Sequence, residues 1–251
     1  AMSGHSRWSQ IKRKKGKADQ QRGKLFTKLI REITVAARTG GGDLKINMRL
    51  KSALEAAKAA SMPADNIKRA IQKGTGELPG ETYEEVTYEG YGPGGVALMV
   101  RVLTDNKNRT APEIRHVFEK NGGNLGQVGC VAWMFERKGV IQVDAERIGE
   151  DELLGPALDA GATDMRRVEK VYEITTTPDE MESVRRALEE RKVPVLEAEV
   201  SMVPLSTVRA EGKDAQAVLR LVEALEEQDD VQAVYANYDI PDEIIDAITA
   251  A

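Results

Sequence analysis

A chain of 251 residues, 41% hydrophobic and 31% charged, can bury one or two cores without covalent staples, and no run in it approaches the length of a membrane span. The charge is split: up to Thr75, 18 Lys/Arg stand against 5 Asp/Glu, a net of +13, while the remainder holds 18 against 36, a net of −18. One cysteine, Cys130, excludes an internal disulfide, and the two histidines stand at no metal-ligand spacing from it.

Residues 1–23 read as a basic, flexible arm, with little apolar periodicity and the run Lys12-Arg13-Lys14-Lys15-Gly16-Lys17 at its centre. It has no apolar segment of the secretory kind, and a lone thiol suits a reducing compartment, so a cytoplasmic location is expected. Helical spacing starts near Lys24 (Leu25, Phe26, Leu29, Ile30, Ile33) and stops at Gly40-Gly41-Gly42. A second helix is expected over Asn47–Ala60. A third has Pro63 in its first turn and stops at Gly74. Residues 24–80 therefore read as a small helical bundle.

Strand patterns follow. Val86, Tyr88 and Tyr91 lead to the turn Gly90–Gly95, and Val96–Leu103 is apolar throughout, as a buried strand is. Thr110-Ala111-Pro112-Glu113 reads as a capping box opening a helix with Ile114, Val117 and Phe118 on one face. Val131, Trp133 and Phe135 alternate, and Glu136–Gly139 reads as a turn into Val140, Ile141 and Val143. A helix near Glu152–Asp159, a strand at Val171–Ile174, a second capping box at Thr177–Glu180 with its helix, and a strand at Leu196–Met202 complete this part. The order β-β-α-β-α-β over 131–205 suggests a ferredoxin-like sandwich. A last helix (Val218, Leu221, Val222, Leu225) and strand (Val231, Ala233, Tyr235) are too few for a domain. They are expected to complete the sheet begun earlier, making 81–130 and 206–251 one discontinuous α/β domain. The fold class is thus α+β in three domains.

No pattern points to catalysis. Gly90-Tyr91-Gly92-Pro93-Gly94-Gly95 satisfies G-x-G-x-x-G, but it leads into a strand rather than opening a helix, so a hairpin turn is the better reading. Asp105, Arg109 and His116 could be read as a catalytic cluster. Turn residues satisfying backbone are the favoured account of Asp105-Asn106-Lys107-Asn108-Arg109, with a second nucleic-acid contact loop as the alternative. The basic first quarter reads as a polyanion-binding region, with phosphate contact ahead of base readout. No cofactor is called for, and the acidic remainder offers a surface for a protein partner.

Several segments together carry a resemblance: Gly4-His5-Ser6-Arg7-Trp8, Arg22-Gly23-Lys24-Leu25-Phe26-Thr27-Lys28-Leu29-Ile30-Arg31, Tyr88-Glu89-Gly90-Tyr91-Gly92-Pro93-Gly94-Gly95, Thr104-Asp105-Asn106-Lys107-Asn108-Arg109-Thr110 and Asn121-Gly122-Gly123-Asn124-Leu125-Gly126. The chain resembles the YebC/PmpR family, which includes bacterial regulators and the translational activator of mitochondrial cytochrome oxidase subunit one. One departure is Lys107, where many relatives carry Arg. The resemblance implies three domains around a central cavity and a non-enzymatic, cytoplasmic, DNA-binding transcriptional regulator. The alternative is a translation factor that binds ribosomal RNA and eases synthesis of proline-rich stretches. The residues expected to hold nucleic acid are Lys12, Arg13, Lys14, Lys15, Lys17, Arg22, Lys24, Lys28 and Arg31, with His5, Ser6 and Trp8 fixing the arm.

Overall fold

The computed structural model describes residues 18–168, 170–241, 244–245 and 247, with side chains from Arg22 onward. Helix α1 (Ala18–Gly40) begins inside the segment expected to be a free arm. Asp19-Gln20-Gln21-Arg22 are ordinary helix formers, and a single Gly23 costs too little to end a helix. Helix α2 (Met48–Ala59) and helix α3 (Ala64–Thr75) both pack on α1. Their shared core holds Ile33, Ala36, Ala37, Leu50, Ala53, Leu54, Ala57, Met62 and Ala70. Asn47 joins the ends of two helices. Its Oδ1 accepts from Leu50 N as the α2 cap, while its Nδ2 donates to Ala36 O (2.8 Å) and Gly41 O (2.7 Å) at the end of α1. Gly74 does not stop α3, contrary to the expectation from sequence. It is buried within the helix, and Gly76, at φ 85°, ends it.

Strands β1 (Glu84–Tyr91) and β2 (Ala97–Thr104) form an antiparallel hairpin in register Glu84↔Thr104 to Tyr91↔Ala97. The turn between them places Gly94 and Gly95 at φ 71° and 76°, which explains the glycines without a phosphate. Helix α4 (Lys107–Lys120) starts three residues before the expected capping box. Asn106 caps it by accepting from Arg109 N at 3.1 Å, so Lys107 to Arg109 are its first turn rather than loop. The two-residue strand β3 (Asn124–Leu125) pairs with the end of β1.

The chain divides into two compact units. One runs to Trp133 and resumes at Ser206, and the other holds Met134–Leu205. The second unit contains β4 (Phe135–Asp144), α5 (Glu150–Ala160), β5 (Asp164–Val168), β6 (Val171–Thr176), α6 (Met181–Glu190) and β7 (Val195–Pro204). Its sheet order β5-β6-β4-β7, antiparallel throughout, is the ferredoxin-like arrangement. The element order is β-α-β-β-α-β, not the β-β-α-β-α-β expected. Glu136–Gly139 is no turn: β4 runs straight through it, pairing with β7 from Phe135 onward. Val131 and Trp133 lie outside the strand, while β5 was unforeseen. Ile141, Val143, Tyr172 and Ile174 face Leu153, Val184 and Leu188 of the two helices.

The returning chain adds β8 (Val208–Arg209), α7 (Gly212–Glu226), β9 (Val231–Ala236) and β10 (Tyr238–Asp239) to the first unit. β9 pairs antiparallel with β2, giving the sheet order β3-β1-β2-β9, and β8 pairs with β10. Leu98, Val100 and Val102 bury against Ile114 and Phe118 of α4 and Val218, Leu221, Val222 and Leu225 of α7. Among the described residues no helix is long and apolar enough to cross a membrane.

Candidate nucleic-acid interface

His5, Ser6, Trp8, Lys12, Arg13, Lys14, Lys15 and Lys17 lie outside the described residues. The remaining four candidates sit on α1 and differ in what they touch. Arg22 is exposed, its guanidinium 5.7 Å from the Phe26 ring centroid. Lys24 donates to Glu227 O (3.3 Å) and Lys28 to Glu226 O. Those carbonyls are the last of α7, a helix end with no glycine stop, so the two ammonium groups satisfy it and complement its dipole.

Arg31 turns further inward. It pairs with Asp230, donates to Leu103 O at 3.0 Å and lies over the Tyr83 ring at 5.2 Å. Asp230 is a hub. Its side chain is only 7% exposed, and it also accepts from Arg109 Nη2 (3.0 Å) and Thr110 Oγ1 (2.6 Å). Burial alone would raise the Asp230 pKa. The hydrogen bonds from Thr110, Arg31 and Arg109, with the Arg31 charge, outweigh it and bring the carboxyl down to about 2. Its backbone takes part too, with Leu103 N donating to Asp230 O at 2.9 Å.

The Asp105–Arg109 segment is organised by this hub. Arg109 bridges Asp105 (2.8 Å) and Asp230, Thr104 and Thr110 share a hydroxyl hydrogen bond at 2.8 Å, and Thr104 Oγ1 accepts from Asn106 N. Lys107 pairs with Glu84, and Asn108 is exposed. Among the described residues Arg109 bonds Asp105 and Asp230, and no hydrogen bond joins His116 to either Asp105 or Arg109. Among the described residues no group of three His, Cys, Asp or Glu is placed to hold a metal ion.

A second polar cluster joins the helices to the same sheet. Arg49 of α2 bonds Glu32 of α1 (2.8 Å) and Glu85 of β1 (3.0 Å). Arg101 of β2 bonds the same two carboxylates at 3.2 and 2.9 Å, closing a ring of four alternating charges. Burial opposes charge on Arg49 and Arg101, but Glu32 and Glu85 raise both above the usual guanidinium range. Burial likewise acts against the Glu85 carboxylate, and the two arginines more than offset it, lowering its pKa.

Sequence reasoning passed over Glu89. Its carboxylate is 4% exposed and accepts from the N–H groups of Gly129 (2.5 Å), Val131 (3.0 Å) and Ala132 (2.6 Å), fixing the 126–132 loop. Cys130 belongs to that loop, its carbonyl accepting from Tyr91 Oη and Trp133 Nε1. Burial first, then Glu89, pushes its thiol pKa up, the reverse of an activated nucleophile.

A cationic helical segment is thus joined by charge pairs to the sheet of the same unit. Residues 6–77 match the TACO1/YebC protein N-terminal domain, and residues 83–238 match the TACO1/YebC second and third domain. The chain belongs to the TACO1/YebC family. It is 60% identical over 243 residues to a probable transcriptional regulatory protein of Pelotomaculum thermopropionicum, covering 96% of this chain and all of that one. A protein of the same description from Syntrophobacter fumaroxidans is 57% identical, over 98% of this chain and all of its own. The crystal structure of a conserved hypothetical protein from Aquifex aeolicus superposes with a TM-score of 0.83 at 55% identity, covering 90% of this chain and 94% of that one.

Proposed function

We propose that this protein is a non-enzymatic, cytoplasmic regulator of gene expression that binds DNA through its basic first quarter, as a transcriptional regulator of the YebC/PmpR type. The observation that carries the reading is the segregation of charge, a net of +13 up to Thr75 on a chain of net −5. The description of the relatives as probable transcriptional regulatory proteins supports it. The tying of Asp105 and Arg109 to a structural hub, apart from His116, favours a binding role over a catalytic one. Affinity then comes mostly from phosphate contacts and falls steeply with salt. The arm from His5 to Lys17 supplies most of these contacts, joined by Arg22.

Crosslinking in cells, with sequencing of the attached DNA and RNA, tests this. Enrichment of discrete DNA intervals upstream of genes is the expected outcome. Attachment chiefly to ribosomal RNA, with flat DNA coverage, would move the reading to a translation factor. Recovery of neither would end the nucleic-acid reading.

A further inference from the structure

Within α3, Ile67, Ala70, Ile71 and Gly74 face the helical core. At 3.6 residues per turn that sends Lys68, Arg69, Gln72 and Lys73 to the opposite side, with Asp65 at its start. Lys68, Arg69 and Lys73 are exposed, and among the described residues none makes a hydrogen bond or an ion pair. Elsewhere many exposed cations are paired: Lys107 with Glu84, Arg109 with Asp105, Lys170 with Glu146, Arg209 with Glu211. The α1 cations Lys24, Lys28 and Arg31 are turned to the body, as described. The charge that composition assigns to the first quarter is therefore presented outward in part by residues of a different helix.

We propose that this face of α3, through Lys68, Arg69 and Lys73, holds the phosphate backbone of duplex DNA; the inference rests on the nucleic-acid reading above. Three cations face outward, with the carboxylates of Asp65 at the start of the helix and of Glu77 beside Gln72, so the face keeps a positive balance, which suits a polyanion. Residues 41–80 contain no Phe, Tyr or Trp, so the face offers no platform on which the bases of a single strand could stack. A duplex presents a phosphate charge every ~1.7 Å of axis and needs no such platform. Gln72 donates to Glu77, so its side chain is engaged within the chain rather than set out to read base edges.

The test is fluorescence anisotropy of the full-length protein with a labelled 24-base-pair duplex between 50 and 200 mM salt. The variants are Lys68→Ala/Arg69→Ala/Lys73→Ala and a charge-matched control, Arg115→Ala/Lys120→Ala/Lys213→Ala. The α3 variant is expected to lower the salt slope by about 2–3 and the control by less than about 1, because only close contacts release counterions. Lys68→Arg/Lys73→Arg keeps the wild-type slope. Wild type that fails to bind the duplex at 50 mM salt sinks the nucleic-acid reading itself. Wild type that binds, with an α3 variant no weaker than the control, overturns the α3 face and leaves the reading on residues 1–17. Displacement of the duplex by poly-glutamate as readily as by unlabelled DNA also overturns it, since the face would then be built for an acidic protein.

Discussion

Replacing Asp230 by Asn keeps the shape of the hub and removes its charge. The carboxyl titrates near 2 in the folded chain against an ordinary 3.8. A difference of that size is linked to about 2 kcal/mol of stability. The sign follows from the depressed pKa: the contribution is complete well above pH 3.8, falls to about half at pH 3, and is nearly gone at pH 2. Arg31, 14% exposed at its side chain, would lose its counter-charge, which adds to the cost. Breaking a buried pair from one side costs about 3–5 kcal/mol, so Asp230→Asn is expected to lose about 2–4 kcal/mol at pH 7. Thr110 softens the loss, because its hydroxyl keeps the Asn106 carbonyl at 3.1 Å and the Thr104 hydroxyl. Two compact units make a single global transition ambiguous. Amide hydrogen exchange over 24–38 and 103–112 reads this unit locally. Protection in the variant should fall by at least tenfold at pH 7, with the gap from wild type narrowing toward pH 3. A variant within about 0.5 kcal/mol of wild type at pH 7, or a gap that does not narrow with acid, would refute the reasoning.

Two glycines of the helical segment should respond to alanine with opposite sign. A Cβ on Gly74 would stand 2.5 Å from Thr34 O and 2.6 Å from the Ala37 Cβ, so Gly74→Ala should cost about 1–3 kcal/mol in a urea titration followed by circular dichroism. Gly23 lies within α1 with nothing inside 4 Å, and Gly23→Ala should gain about 0.5–1 kcal/mol in the same titration. Lys28→Ala should lower stability by about 0.5–1.5 kcal/mol while leaving the salt slope of DNA binding within about 0.5 of wild type, since its ammonium serves the end of α7. Glu89→Ala should release the 126–132 amides to exchange at least tenfold faster, because three N–H groups lose one acceptor.

The apolar patterns that were legible are those whose partners lie nearby in sequence. Ile33, Leu50, Leu54 and Ala70 fall at helical spacing, and the run Val96–Leu103 is a strand covered on both sides. Strand β5 escaped because Asp164-Met165-Arg166-Arg167-Val168 alternates only weakly and sits at a sheet edge. Glu136–Gly139 read as a turn, but β4 runs through it. A Cβ on Gly139 would meet Thr176 Oγ1 at 2.2 Å and the Met181 Cβ at 2.5 Å, so the glycine lets strand and helix approach. Charge was the least legible feature. A lysine has the same letter whether it faces a phosphate or caps a helix, and Asp230, 199 residues after Arg31, leaves no local trace of its role. Only a buried acceptor with several distant donors reveals it, and Glu89 is the same case.

The join between the helical segment and the sheet explains why so much cationic charge is turned inward. The helical core and the sheet core are separate apolar clusters, and polar contacts run between the two segments. Three sets cross it: the α1 lysines on the end of α7, Arg31 with Asp230, and the Glu32–Arg49–Glu85–Arg101 ring. Charge pairs are directional where apolar packing is not, so these pairs favour the register of α1 in which their partners meet. That register turns the Lys24–Lys28–Arg31 stripe toward the body, and α3, packed on the same helix, carries Lys68, Arg69 and Lys73 on its free side. The structural use of charge and the proposed phosphate-binding one differ in salt sensitivity. A hub at 7% exposure is screened little, while exposed lysines over phosphates are screened strongly. A rise in ionic strength that detaches nucleic acid should therefore leave the helical segment seated on the sheet, and hydrogen exchange of α1 should be the same at 50 and 200 mM salt.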